Sequence, residues 1–106
     1  MREIDARELQ SWLVTDRGSV GLLDVREPWE VAHCRIEGSL SVPMGEIASR
    51  LGELDPGKRT VVICHHGARS MHVARWLAQQ GFGDVINLRG GIDAWARDID
   101  PAMPVY

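Results

Sequence analysis

Continuous apolar runs alternate with stretches of helical periodicity along the whole chain. Val20-Gly21-Leu22-Leu23-Asp24-Val25 is almost unbroken, as in a parallel strand buried on both faces. Thr60 to Ile63, Asp84 to Leu88 and a short Ser39–Val42 segment stopped by Pro43 read as further strands. Between these runs the spacing turns helical. Ala6, Leu9, Trp12 and Leu13 line one side of a helix that Asp5 caps, with Glu8 three positions on. Pro28 opens a short helix through Trp29, Val31 and Ala32. Met44, Ile47, Ala48 and Leu51 keep helical spacing, and Asp55-Pro56-Gly57-Lys58 is turn chemistry. Val73, Ala74, Leu77 and Ala78 form the buried side of a helix that Gly81 ends. Gly90-Gly91 then precedes a last helix with Ile92, Trp95, Ala96 and Ile99 on one side. All four tryptophans fall on helix faces, so they are expected in the core or at its edges.

Repeated strand–helix units predict an α/β fold: a central, mostly parallel sheet of about five short strands, with helices on both faces. In such sheets ligands bind beyond the carboxyl ends of the strands. At 106 residues the chain is expected to form one domain over 1–106. The net charge of −3 gives no electrostatic basis for binding nucleic acid or an anionic membrane. No run approaches the roughly 20 apolar residues of a membrane span, and Met1–Asp5 lacks the apolar core of a secretory signal. Cys34 and Cys64 are the only cysteines, which points to a reducing, cytoplasmic setting rather than a disulfide framework.

Cys64 closes the apolar run Val61-Val62-Ile63 and is followed at once by His65-His66-Gly67-Ala68-Arg69-Ser70 and a helical pattern. Backbone N–H groups converge at such a strand-to-helix turn, and with the helix dipole they favour an anion at the sulfur. The thiolate is the nucleophilic form of cysteine. A cysteine that merely filled a core would need neither the polar turn nor Arg69.

Cys64, four intervening residues and Arg69 at a helix start resemble the active-site loop of the rhodanese family, sulfurtransferases that carry sulfur as a cysteine persulfide. Leu23-Asp24-Val25-Arg26-Glu27-Pro28 is similar to the family's second-strand motif. His33-Cys34-Arg35-Ile36-Glu37-Gly38-Ser39 resembles the segment that follows, although Cys34 and Glu37 depart from its usual histidine and proline. Leu88-Arg89-Gly90-Gly91-Ile92-Asp93-Ala94-Trp95 matches its carboxyl-terminal signature. The resemblance implies a rhodanese-like three-layer fold and a Cys64 nucleophile in an amide cradle running from His65, His66, Gly67 and Ala68 through Arg69 and Ser70. It also implies an anionic sulfur donor such as thiosulfate, a thiol or protein-thiol acceptor, and no metal or organic cofactor.

Other residues carry less. Asp24 and Arg26 are expected to brace the loop, and Cys34 to be structural. Arg69 opens a helix, where a cation is unfavourable, so it needs a partner: an anionic substrate, or Glu27, Glu30 or Asp24. His65 and His66 titrate near neutrality when unperturbed, so the loop is expected to gain positive charge in mild acid. Two other functions stay open. One is a non-catalytic rhodanese-like protein-binding module. The other is a small cysteine-dependent phosphatase or arsenate reductase, whose related loop is one residue longer and so wide enough for a tetrahedral oxyanion.

Overall fold

A computed structural model describes residues 1–106. The strands are β1 (Arg2–Ile4), β2 (Val20–Asp24), β3 (Leu40–Ser41), β4 (Arg59–Ile63) and β5 (Val85–Leu88). The helices are α1 (Ala6–Asp16), α2 (Pro28–His33), α3 (Ala68–Gln79) and α4 (Gly91–Asp98). Local chemistry sets the ends as expected. Asp5 Oδ1 accepts from the Glu8 N–H at 2.9 Å, and Asp55 Oδ1 accepts from Gly57 in the turn before β4.

All five strands run parallel, in the order β1-β5-β4-β2-β3. Successive side chains point to opposite faces, and the core divides accordingly. Val20, Leu22, Val61, Ile63, Ile86 and Leu88 pack under α1 and α4, through Leu9, Leu13, Ile92 and Trp95. Leu23, Val25, Val62, Cys64 and Val85 pack on the other face against Val73, Ala74 and Leu77 of α3. From β2 the chain moves outward through α2 to β3, whereas from β4 it moves the opposite way through α3 to β5. The strand order therefore reverses between β2 and β4, which opens a crevice at their carboxyl ends. Asp24 pairs with Ile63 there, and the Val25 N–H donates to the Ile63 carbonyl at 2.9 Å.

The structure departs from the sequence pattern in three places. The fifth strand is β1, whose three residues carry one buried apolar side chain, Ile4, and so leave no alternation to read. Met44 to Leu51 is not a regular helix. Short 3₁₀ turns at Met44–Glu46 and Leu51–Glu53 replace it, consistent with the low helix propensity of Gly45 and Gly52. Trp29 is 66% exposed rather than packed, while Trp95 is buried and Trp12 and Trp76 lie at core edges.

Candidate active site

Cys64 follows β4 directly, on the α3 face of the sheet, and is 1% exposed. Two donors meet its sulfur. The Gly67 N–H lies 3.0 Å from Sγ, and Ser70 Oγ lies 3.2 Å away. Gly67 reaches that position at φ +110°, a left-handed conformation natural to glycine, and caps α3. The first bond within α3 runs from Met71 N–H to the Gly67 carbonyl, so the amides of Ala68, Arg69 and Ser70 have no intrahelical partner. The start of α4 takes up the loop's carbonyls: Ile92 N–H donates to Cys64 O at 2.8 Å, and Asp93 N–H to His65 O at 3.0 Å. Because peptide units are planar and trans, this turns the amides of His65 and His66 away from α4. Gly91 permits the close approach. A Cβ there would lie 2.5 Å from the His65 carbonyl oxygen, and its φ is +59°.

Asn87 of β5 stands behind this cradle. Its amide nitrogen donates to Glu3 Oε2 at 2.9 Å and to the Gly67 carbonyl at 3.2 Å, which turns Oδ1 toward the Ser70 hydroxyl. A carbonyl oxygen only accepts. The single Ser70 proton therefore rests on Asn87 while Cys64 is a thiol donating to Oγ, and turns to the sulfur when the sulfur is an anion.

Arg69 forms a bidentate pair with Glu30, at 2.7 and 2.8 Å. Of the three carboxylates the sequence left open, the fold uses Glu30. That carboxylate also accepts from the Glu27 N–H and the Tyr106 hydroxyl. Arg69 above all, and then the other donors, hold the Glu30 carboxyl down at about 2 against the cost of burial. Arg26 is fully buried with all five N–H groups engaged: it meets Asp24, the carbonyls of Glu30 and Cys34, and the Tyr106 hydroxyl. The Asp24–Arg26 pair thus braces α2 and its exit, and reaches the loop only through Glu30 and Tyr106. Cys34 is buried, with its sulfur 3.9 Å from Arg26 Nη1.

The loop histidines differ from each other. His66 and Ala68 are exposed. His65 is partly buried and its Nε2 has no partner, so burial, helped by the adjacent His66, pushes its pKa down. The gain of charge expected for the pair is thus moved to lower pH at His65. His65, His66 and Asp93 each bring one potential ligand atom within 4.8 Å of the others. The two imidazoles crowd each other, with centroids 3.9 Å apart and planes tilted by 31°, and Asp93 already accepts from Arg97 at 3.0 Å. The trio is therefore a poor chelate.

The rhodanese-like domain family model matches residues 5–98, a span that contains every loop residue and both glycine turns. The chain belongs to this family. A rhodanese-like fold was thus legible from the motifs, and the solved structures agree. A rhodanese-related protein from Thermoplasma volcanium superposes with a TM-score of 0.85 at 31% identity, covering 93% of this chain and 94% of that one. A sulfurtransferase of Allochromatium vinosum is 43% identical, over 92% of this chain and 90% of its own length. The thiosulfate sulfurtransferase GlpE of Shewanella oneidensis is 34% identical, over 77% and 81%. No helix of the chain is long and apolar enough to cross a membrane.

Sequence reasoning missed two residues of the site. Asn87 had a signal: a lone amide inside the buried run Val85-Ile86-Asn87-Leu88 must find partners. Tyr106 had none. It follows an irregular tail and lies outside the family match.

Proposed function

We propose that this rhodanese-like domain is a sulfurtransferase that moves sulfane sulfur from thiosulfate or a similar anionic donor to a thiophilic acceptor through a Cys64 persulfide. The observation that carries this reading is the pair of donors, Gly67 N–H and Ser70 Oγ, aimed at a sulfur on the carboxyl end of β4. In the first half-reaction the Cys64 thiolate attacks the outer sulfur of thiosulfate. A new S–S bond forms, the donor's S–S bond breaks, and sulfite leaves with the electron pair. Preorganised donors then stabilise the terminal persulfide anion. In the second half-reaction a thiolate or cyanide attacks that terminal sulfur and Cys64 leaves as thiolate. Arg69, held by Glu30, fixes the start of α3 and keeps a positive charge beside the loop.

The four residues between Cys64 and Arg69, one fewer than in the related phosphatase loop, favour a slim terminal sulfur over a phosphate held in the cradle. An intact nucleophile with its donors in place weighs against a non-catalytic binding module. No step calls for a metal or organic cofactor, and a cytoplasmic location fits two unpaired cysteines. Formation of thiocyanate from thiosulfate and cyanide, abolished in Cys64→Ser, is the test. Equal turnover by that variant would contradict the role given to Cys64.

A further inference from the structure

Tyr106 touches several parts of the site at once. Its ring lies flat on the His65 imidazole, with centroids 3.8 Å apart and planes 5° apart. His66 stacks on the same imidazole at 3.9 Å, so His65 is held between two rings. Trp29 and His33 of α2 meet the tyrosine edge-on. The Tyr106 hydroxyl accepts from Arg26 Nη1 at 2.9 Å and donates to Glu30 Oε2 at 2.8 Å, the same oxygen that receives Arg69 Nη2. Burial pushes its pKa up to about 12, so it stays a hydroxyl and keeps both roles.

We propose that Tyr106 is a positioning residue for the Cys64 loop: its ring clamps His65, and its hydroxyl fixes the Glu30 carboxylate that holds Arg69. The functional part of this proposal rests on the sulfur-transfer reading of Cys64. The clamp acts at both ends of the cradle. His65 immediately follows the sulfur-bearing residue, so fixing its ring fixes the peptide whose amide turns away from α4. Arg69 opens α3, so fixing Glu30 fixes the far end. The clamp also sets the charge of the loop. Tyr106, His66, Asp93 of α4 and Glu30 of α2 face the His65 imidazole. Burial under the covering rings, and then the neighbouring His66, disfavour its protonation, while a hydrogen bond to the Tyr106 backbone and the two carboxylates favour it. A neutral His65 then lies beside a sulfur that changes charge during transfer. Residue 106 itself lies beyond the family match over 5–98.

Two variants separate ring from hydroxyl, each followed by NMR titration of His65 and Glu30 and by the kcat and KM of thiosulfate-to-cyanide transfer. Tyr106→Leu removes the stack. Its His65 midpoint should rise toward the ordinary value of about 6.5, and kcat should fall about tenfold with a smaller change in KM. Tyr106→Phe keeps the stack and loses the hydroxyl. Its His65 midpoint should stay low, its Glu30 midpoint should rise above the wild-type value, and kcat should fall only about threefold. Should the leucine variant fail to fold, the phenylalanine variant still decides, through Glu30. A wild-type His65 midpoint in the leucine variant, or a wild-type Glu30 midpoint in the phenylalanine variant, overturns the clamp. Wild-type kcat in both overturns its positioning role. If the wild-type protein itself transfers no sulfur, the failure belongs to the sulfur-transfer reading, and the two titrations still judge the clamp.

Discussion

Arg69 opens α3 and Glu30 lies in α2, yet the two meet in a bidentate pair, with Nη1 2.7 Å from Oε1 and Nη2 2.8 Å from Oε2. The pair links the loop that carries Cys64 to the element that follows β2, across the crevice where the strand order reverses. A cation at a helix start opposes the dipole, and the carboxylate offsets that cost.

The Glu30 carboxyl is lowered from 4.5 to about 2, so its contribution to stability is complete above about pH 4.5 and drains away as pH falls toward 2. The shift alone corresponds to roughly 3 kcal/mol, and the 37% exposure of the Arg69 side chain reduces this to about 2 kcal/mol. Glu30→Gln should therefore be less stable than wild type by about 2 kcal/mol at pH 7. The gap should nearly close at pH 2.5. Urea unfolding at both pH values measures it, and a gap that does not depend on pH would remove the ion pair as its cause.

Much of this was legible in the chain because the relevant signals are local. The runs at 20–25 and 60–63 had to be buried strands, the loop from Cys64 to Ser70 had to turn into a helix, and Gly90-Gly91 had to make a tight turn. What escaped depends on contacts distant in sequence. Strand β1 carries one buried apolar residue and is defined by its pairing with β5, through Ile4 and Leu88. Arg26 and Glu30 look like surface charges until the fold buries them at 0% and 3% exposure. Tyr106 lies 41 residues from the histidine it covers. Trp29, which the helix pattern places at the core, is half of an edge-on contact with Tyr106 at the surface.

Gly91 brings α4 against the loop carbonyls. Gly91→Ala puts a methyl group against the oxygens of Cys64 and His65, where backbone rather than a flexible side chain must move. The variant should lose about 2–4 kcal/mol, as expected when strain and a clash coincide. Whatever remains folded should transfer sulfur poorly, because the cradle is displaced. Thermal unfolding together with activity per folded molecule checks both. A stable, fully active alanine variant would show that this approach does not shape the loop.

Cys34 is buried beside Arg26 and has no amide donors at its sulfur. Cys34→Ser should retain most transfer activity. A variant that loads sulfur yet cannot pass it on would instead identify Cys34 as a resolving thiol. Stopped-flow measurement of the two half-reactions separates these results.

Loop size distinguishes sulfur transfer from phosphate chemistry. Inserting one residue between Gly67 and Ala68 moves the amide that meets Sγ away from the start of α3. Sulfur transfer should fall, and affinity for phosphate or arsenate, read by calorimetry, should rise. The wild-type protein should hydrolyse aryl phosphates poorly. Brisk hydrolysis that disappears in Cys64→Ser would make it a phosphatase.

Intact mass spectrometry after incubation with thiosulfate reads the proposed intermediate itself. Wild-type protein should gain the mass of one sulfur atom, removable by cyanide, and Cys34→Ser should gain the same. Cys64→Ser should gain nothing. Sulfur retained by the Cys64→Ser protein, or no added sulfur on a folded wild-type protein with any sulfane donor, would contradict a persulfide at Cys64.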